Sequence, residues 1–84
     1  MNYEIRFSKL AAKDIKTLSP KLKEKVKNIL IEVISENPHA GKKLLGELSQ
    51  NFSYRINLKD RLVYSIEEEN KIVYIKRART HYGQ

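Results

Sequence analysis

The stretch LSPKLKEKVKNILIEVISENP leaves this chain least freedom. Ser19 can accept a hydrogen bond as an N-cap, and Pro20 suits the first helical position because its missing N–H is one the helix start could not pair. Leu22, Val26, Ile29, Leu30, Val33 and Ile34 then recur at i, i+4, i+7, i+8, i+11 and i+12, an apolar stripe along one side of a helix. Lys21, Lys23, Lys25 and Lys27 lie mostly off that stripe, and Asn37-Pro38 stops the helix, since proline disfavours helical geometry in the residue before it. A one-sided helix must lay its stripe on another element, so the fold depends on what the rest of the chain offers.

The rest offers strands. Tyr3, Ile5 and Phe7 alternate with Glu4 and Arg6, the period of a strand with one buried face. Ser8 can cap a short first helix carrying Leu10, Ala11, Ile15 and Leu18. Beyond Pro38, FSYRINL sets Phe52, Tyr54, Ile56 and Leu58 on one face against Ser53, Arg55 and Asn57 on the other. RLVYSIE opens at Arg61, EEEN is turn material, and KIVYIKRAR runs on into Thr80, His81 and Tyr82. Tyr54, Tyr64 and Tyr74 read as core or edge aromatics, and His39, just past the helix stop, as a surface loop residue. The expectation is a single α+β domain over residues 1–84. Its N-terminal strand is followed by two helices packed on one face of a mostly antiparallel sheet of four to five strands.

Seventeen Lys plus Arg against ten Asp plus Glu leave a net charge of +7, which points to a polyanionic partner. With no cysteine there is neither a disulfide framework nor a thiolate metal site, which fits a reducing cytoplasm. The sequence has no apolar run of the length a signal peptide or membrane span needs. Neither the two histidines nor any carboxylate group has metal-ligand spacing, and Gly41, Gly46 and Gly83 form no phosphate cradle, so no metal or cofactor is expected. A serine hydrolase is unsupported. Arg, His and Tyr near the C-terminal sheet do suit RNA cleavage by the 2′-hydroxyl, which needs a base, an acid and positive charge around the phosphate. Histidine exchanges protons near neutrality, and arginine offers a phosphate two parallel charge-assisted bonds.

SYRINLKDRLVYSIEEENKIVYIKRARTHY resembles the C-terminal half of the RelE/ParE toxin superfamily, most closely its YoeB/Txe-type mRNA interferases, in which an Arg-Leu-Val-Tyr strand is followed by a strand ending Arg-x-His-Tyr. The resemblance implies a RelE-like fold and a ribosome-dependent endoribonuclease that cleaves mRNA in the ribosomal A site and inhibits translation. It assigns phosphate stabilisation to Arg61, the general acid to His81 and substrate positioning to Tyr82, with Arg55 and Arg79 on recurring arginines. The family's catalytic glutamate aligns with Lys42, and Glu47 is the nearest carboxylate in that segment. Arg77, Lys42 and Lys43 complete the expected RNA-binding set. The implied partners are a cognate antitoxin, whose acidic segment would cover the basic sheet, and the ribosome with its mRNA, the toxin being a homodimer or part of a toxin–antitoxin hetero-oligomer. Two alternatives on the same fold are a ParE-like inhibitor of DNA gyrase and a ribosome- or antitoxin-binding member with weak catalysis.

Overall fold

The computed structural model describes residues 2–45 and 50–78. Strand β1 (Glu4–Phe7) leads into helix α1 (Lys9–Lys16), and helix α2 (Pro20–Ile29) follows after a short link. Ser8 caps α1 by accepting from the Ala11 N–H at 3.0 Å, and Ser19 caps α2 by accepting from Leu22 at 3.3 Å, with Pro20 in the first turn. Such caps contribute about 1 kcal/mol each. The apolar stripe continues past α2 through a π-helical turn, Leu30–Ile34, closed by the Ser35 N–H donating to the Leu30 carbonyl at 2.9 Å. A 3₁₀ turn (Pro38–Ala40) then leads to β2 (Lys42–Lys43), β3 (Asn51–Arg55), β4 (Arg61–Glu67) and β5 (Ile72–Arg77).

The five strands form one sheet in the order β1-β5-β4-β3-β2. β1 runs parallel to β5 and every other neighbour is antiparallel, because two helices carry the chain across the sheet before β2 begins. The register places Ile5, Phe52, Tyr54, Leu62, Tyr64, Ile66, Val73 and Ile75 on one face. Ala11, Leu18, Val26, Leu30 and Ile34 of the helical half pack against that face. Burying one aliphatic side chain of this kind contributes roughly 1.5–3 kcal/mol, so the stripe and the sheet face stabilise each other.

Tyr64 is the hinge of this core. It is fully buried, stacks on Phe52 with centroids 5.8 Å apart, and donates its hydroxyl to the Pro38 carbonyl at 2.6 Å. Burial pushes its pKa up to about 12. Gly41 makes this approach possible: a Cβ there would overlap the Tyr64 hydroxyl and stand 2.8 Å from the Ser53 carbonyl.

Three expectations need correction. Leu58 does not continue β3. The chain turns after Ile56, whose N–H donates to the Asp60 carbonyl at 2.9 Å, and Leu58 is left 89 % exposed. Phe7 and Leu10 are exposed as well, because β1 is the outermost strand and α1 turns Ala11 and Ile15, not Leu10, toward the core. His39 is a surface residue, as expected. It is tied to Glu68 at 2.5 Å, and Glu68 also accepts from the Tyr3 hydroxyl at 2.8 Å. Glu68, Glu69 and Asn70 form the β4–β5 turn, with Lys71 in the left-handed region at φ 57°.

Candidate functional site

The sheet face opposite the helices carries Arg55, Arg61 and Lys42. Ser53 and Val63 are register partners there, and two residues on, Arg55 and Arg61 are partners in their turn. Directly opposed residues of an antiparallel pair point to the same side with Cβ atoms about 5 Å apart, where like charges repel. Two arginines so placed form a fork for an anion. Lys42 pairs with Ser53 and adds a cation to that face, whereas Lys43, opposite Phe52, alternates to the helix side.

The β3–β4 turn holds this pair in place. Asn57 Oδ1 accepts from the Lys59 and Asp60 N–H groups at 2.8 and 2.7 Å, and Asp60 itself is buried immediately before Arg61. Arg61 therefore leaves a turn that is fixed by its own hydrogen bonds, not a loose loop. Charge is graded along this face. The turn end is basic, while the far end carries Glu67 on β4 and Glu4 on β1, the latter paired with Arg6 at 2.7 Å. Tyr74, 43 % exposed, lies between them, its register partners being Arg6 and Ser65.

Arg77 has a different setting. Its Nε and Nη2 donate to the two carboxylate oxygens of Asp14 on α1 at 2.8 and 3.2 Å, and the Ala78 N–H donates to Asp14 Oδ2 at 3.1 Å. Asp14 was not among the candidates in the sequence. Its partners lie more than sixty positions away, a separation no local pattern bridges. Glu47, Arg79, His81 and Tyr82 lie outside the described residues. The structure thus brings Arg55, Arg61 and Lys42 together and engages Arg77 with α1. Among the described residues no helix is long and apolar enough to cross a membrane, and no group of three or more potential metal ligands occurs.

A two-helix layer on a mixed sheet with cations on the opposite face is one arrangement among several that small α+β domains adopt, and sequence comparison decides between them. The family of ParE-like toxins of type II bacterial toxin–antitoxin systems matches residues 5–83. The chain belongs to this family. Among solved structures, this ParE-like toxin is similar to a chain of the toxin–antitoxin complex RelBE2 from Mycobacterium tuberculosis. The two are 33 % identical over 96 % of this chain and 99 % of the other, with a TM-score of 0.86. A chain of the heterotetrameric YoeB-YefM toxin–antitoxin complex from Staphylococcus aureus is 29 % identical over 98 % of this toxin and 100 % of its own length, with a TM-score of 0.78. A chain of the intact RelBE complex from E. coli is 26 % identical over 93 % and 95 %, with a TM-score of 0.76. No curated protein matches in sequence. The match places the toxin in the RelE/ParE superfamily with its YoeB-like members, and the order of elements is that of a RelE-like fold.

Proposed function

We propose that this toxin is an mRNA interferase, an endoribonuclease that enters the ribosomal A site and cuts the message there through side chains alone. The observation that carries the proposal is the cross-strand pair of Arg55 and Arg61 on the sheet face opposite the helices. Folding holds two like charges opposite each other at a cost that a bound phosphate relieves, and Arg61 springs from a turn rigid enough to keep the fork in place.

In this reaction the 2′-oxygen attacks the adjacent phosphorus and loses its proton to a base, and the 5′-oxygen leaves with a proton from an acid. The products are a 2′,3′-cyclic phosphate and a 5′-hydroxyl. Arg61 and Arg55 offset charge on the crowded phosphate, where such stabilisation is worth roughly 3–4 kcal/mol per well-placed donor. His81 supplies the proton, Tyr82 positions the substrate, and Arg79 adds charge. Glu47 is the candidate base and Lys42 a further RNA contact, whereas Lys43, on the helix side of the sheet, is not one. The natural occluding partner is an antitoxin whose acidic segment covers the basic face, in keeping with the net charge of +7 and with relatives solved as toxin–antitoxin complexes. A cytoplasmic setting follows from a ribosomal target.

The ParE-like description of the family favours a second reading, inhibition of DNA gyrase. Expressing the toxin without antitoxin and mapping mRNA ends separates the two. Cuts within codons, only on translated transcripts, are expected; intact mRNA with trapped gyrase–DNA complexes overturns the interferase reading. On programmed ribosomes, His81→Gln is expected to slow single-turnover cleavage by roughly 10²–10⁴-fold, the usual worth of a general acid.

A further inference from the structure

The end of β5 is held by helix α1 as well as by the sheet. The ladder between β4 and β5 shifts register between Val63 and Tyr64, so Arg77 stands opposite Val63 after Ile75 has paired with Tyr64, and Lys76 is the extra residue of a bulge. At that point four consecutive residues bind α1 or its cap. The Ser8 N–H donates to the Ile75 carbonyl at 2.9 Å, and the Ser8 hydroxyl donates to the Lys76 carbonyl, also at 2.9 Å. Asp14 takes the Arg77 guanidinium in two bonds and the Ala78 N–H in a third.

Asp14 is the centre of this arrangement. Its side chain is only 13 % exposed, and it accepts three hydrogen bonds from two successive residues of one strand end. A bidentate Arg–carboxylate pair fixes direction as well as distance, because both planes must align. The added backbone bond fixes Ala78, the last residue before the segment that carries Arg79, His81 and Tyr82. We propose that Asp14, acting through Arg77 and Ala78, is the positioning residue that fixes the end of β5, from which the sequence runs on to Arg79, His81 and Tyr82, and that cleavage depends on that fixed end. This rests on the interferase reading. It gives Arg77 a role within the protein and not on the RNA.

The test uses Asp14→Ala, Arg77→Gln and the double variant of the full chain, with folding checked by thermal denaturation. Misplacing a reacting group by about 1 Å costs up to roughly 100-fold, so each single variant is expected to cleave mRNA on programmed ribosomes 10- to 100-fold more slowly. Ribosome affinity and its salt dependence stay as in the wild type, and the double variant is no slower than the worse single one, since both break one unit. If Asp14→Ala fails to fold, Asp14→Asn keeps an acceptor for the Ala78 N–H and is expected to lose less, about 3- to 10-fold.

Wild-type cleavage rates in the Asp14 variants overturn the proposal. So does an Arg77→Gln variant that binds ribosomes more weakly with a salt slope reduced by about 1, the mark of a lost phosphate contact, while the Asp14 variants bind normally. Hydrogen exchange at the Ala78 amide gives a readout independent of cleavage. It is expected to be slow in the wild type and at least tenfold faster in Asp14→Ala; exchange that stays slow overturns the latch. If the wild type cuts no mRNA while Ala78 behaves as expected, the interferase reading falls, and with it the catalytic purpose of a latch that itself stands.

Discussion

Tyr64→Phe isolates one hydroxyl and makes two predictions of opposite sign at different pH. At neutral pH the substitution removes the 2.6 Å bond to Pro38 and leaves a buried carbonyl without its donor, a loss of about 1–2 kcal/mol. For a domain of this size that lowers the melting temperature by roughly 5–10 °C. In alkali the comparison reverses. The folded-state pKa of Tyr64 is about 12 against an ordinary 10.0, so between these values the unfolded chain gives up the proton while the folded chain keeps it. The unfolded state then binds fewer protons, stability falls as pH rises, and the slope approaches about 1.4 kcal/mol per pH unit. Stability from this group is complete below pH 10, and on the order of 2–3 kcal/mol is gone by pH 12. Tyr64→Phe lacks that loss. Urea unfolding at intervals from pH 7 to pH 12 should show a stability gap that favours the wild type at neutrality and closes or inverts by pH 12. Parallel curves across pH 10–12 would refute the assignment of the raised pKa to burial of this hydroxyl.

Three further predictions concern other parts of the molecule. Arg55→Gln removes one of two opposed like charges and is expected to raise stability by roughly 0.2–1 kcal/mol at low salt, less at high salt, while weakening RNA binding; unchanged melting at low salt would deny the repulsion. Gly41→Ala drives a methyl against the Tyr64 hydroxyl and the Ser53 carbonyl and should cost about 1–3 kcal/mol in chemical denaturation, with partial recovery in the Gly41→Ala, Tyr64→Phe double variant. The hydrogen bond from Tyr3, then that from His39, lowers the pKa of Glu68. Its contribution is present above the ordinary carboxylate range and is lost as pH falls through the lowered value, so Glu68→Gln should flatten the acid limb of the stability curve. An acid limb identical to that of the wild type would remove this cluster from the account.

Local patterns carried much of the fold. Ser8, Ser19 and Pro20 act within four residues of themselves, so the helix starts were legible, and the stripe from Leu22 to Ile34 named the buried side of α2 before any partner was known. Alternation located β3 and β4, and acid-rich EEEN located the turn between β4 and β5. Alternation also misled: Leu58 continues the period of β3 on paper, but the Asn57 side chain and the Asp60 carbonyl bend the backbone before it. Phe7 and Leu10 fit their patterns too, yet a pattern does not say which strand lies at the sheet's edge.

The site divides along the same line. Arg55 and Arg61 stood out in the sequence as separate arginines on separate strands, and a resemblance gave Arg61 a role. That they face each other follows from the length of the β3–β4 turn, which sets register. The parallel pairing of β1 with β5 and the bond from Asp14 to the end of β5 join residues more than sixty positions apart. The sequence by itself determined which segments become helix or strand and which side of each is apolar, because those properties depend on neighbours one to four residues away. The tertiary structure decided which basic side chains share a face and which are taken up by an internal carboxylate, because that depends on strand order and register, which close only when the whole sheet has assembled.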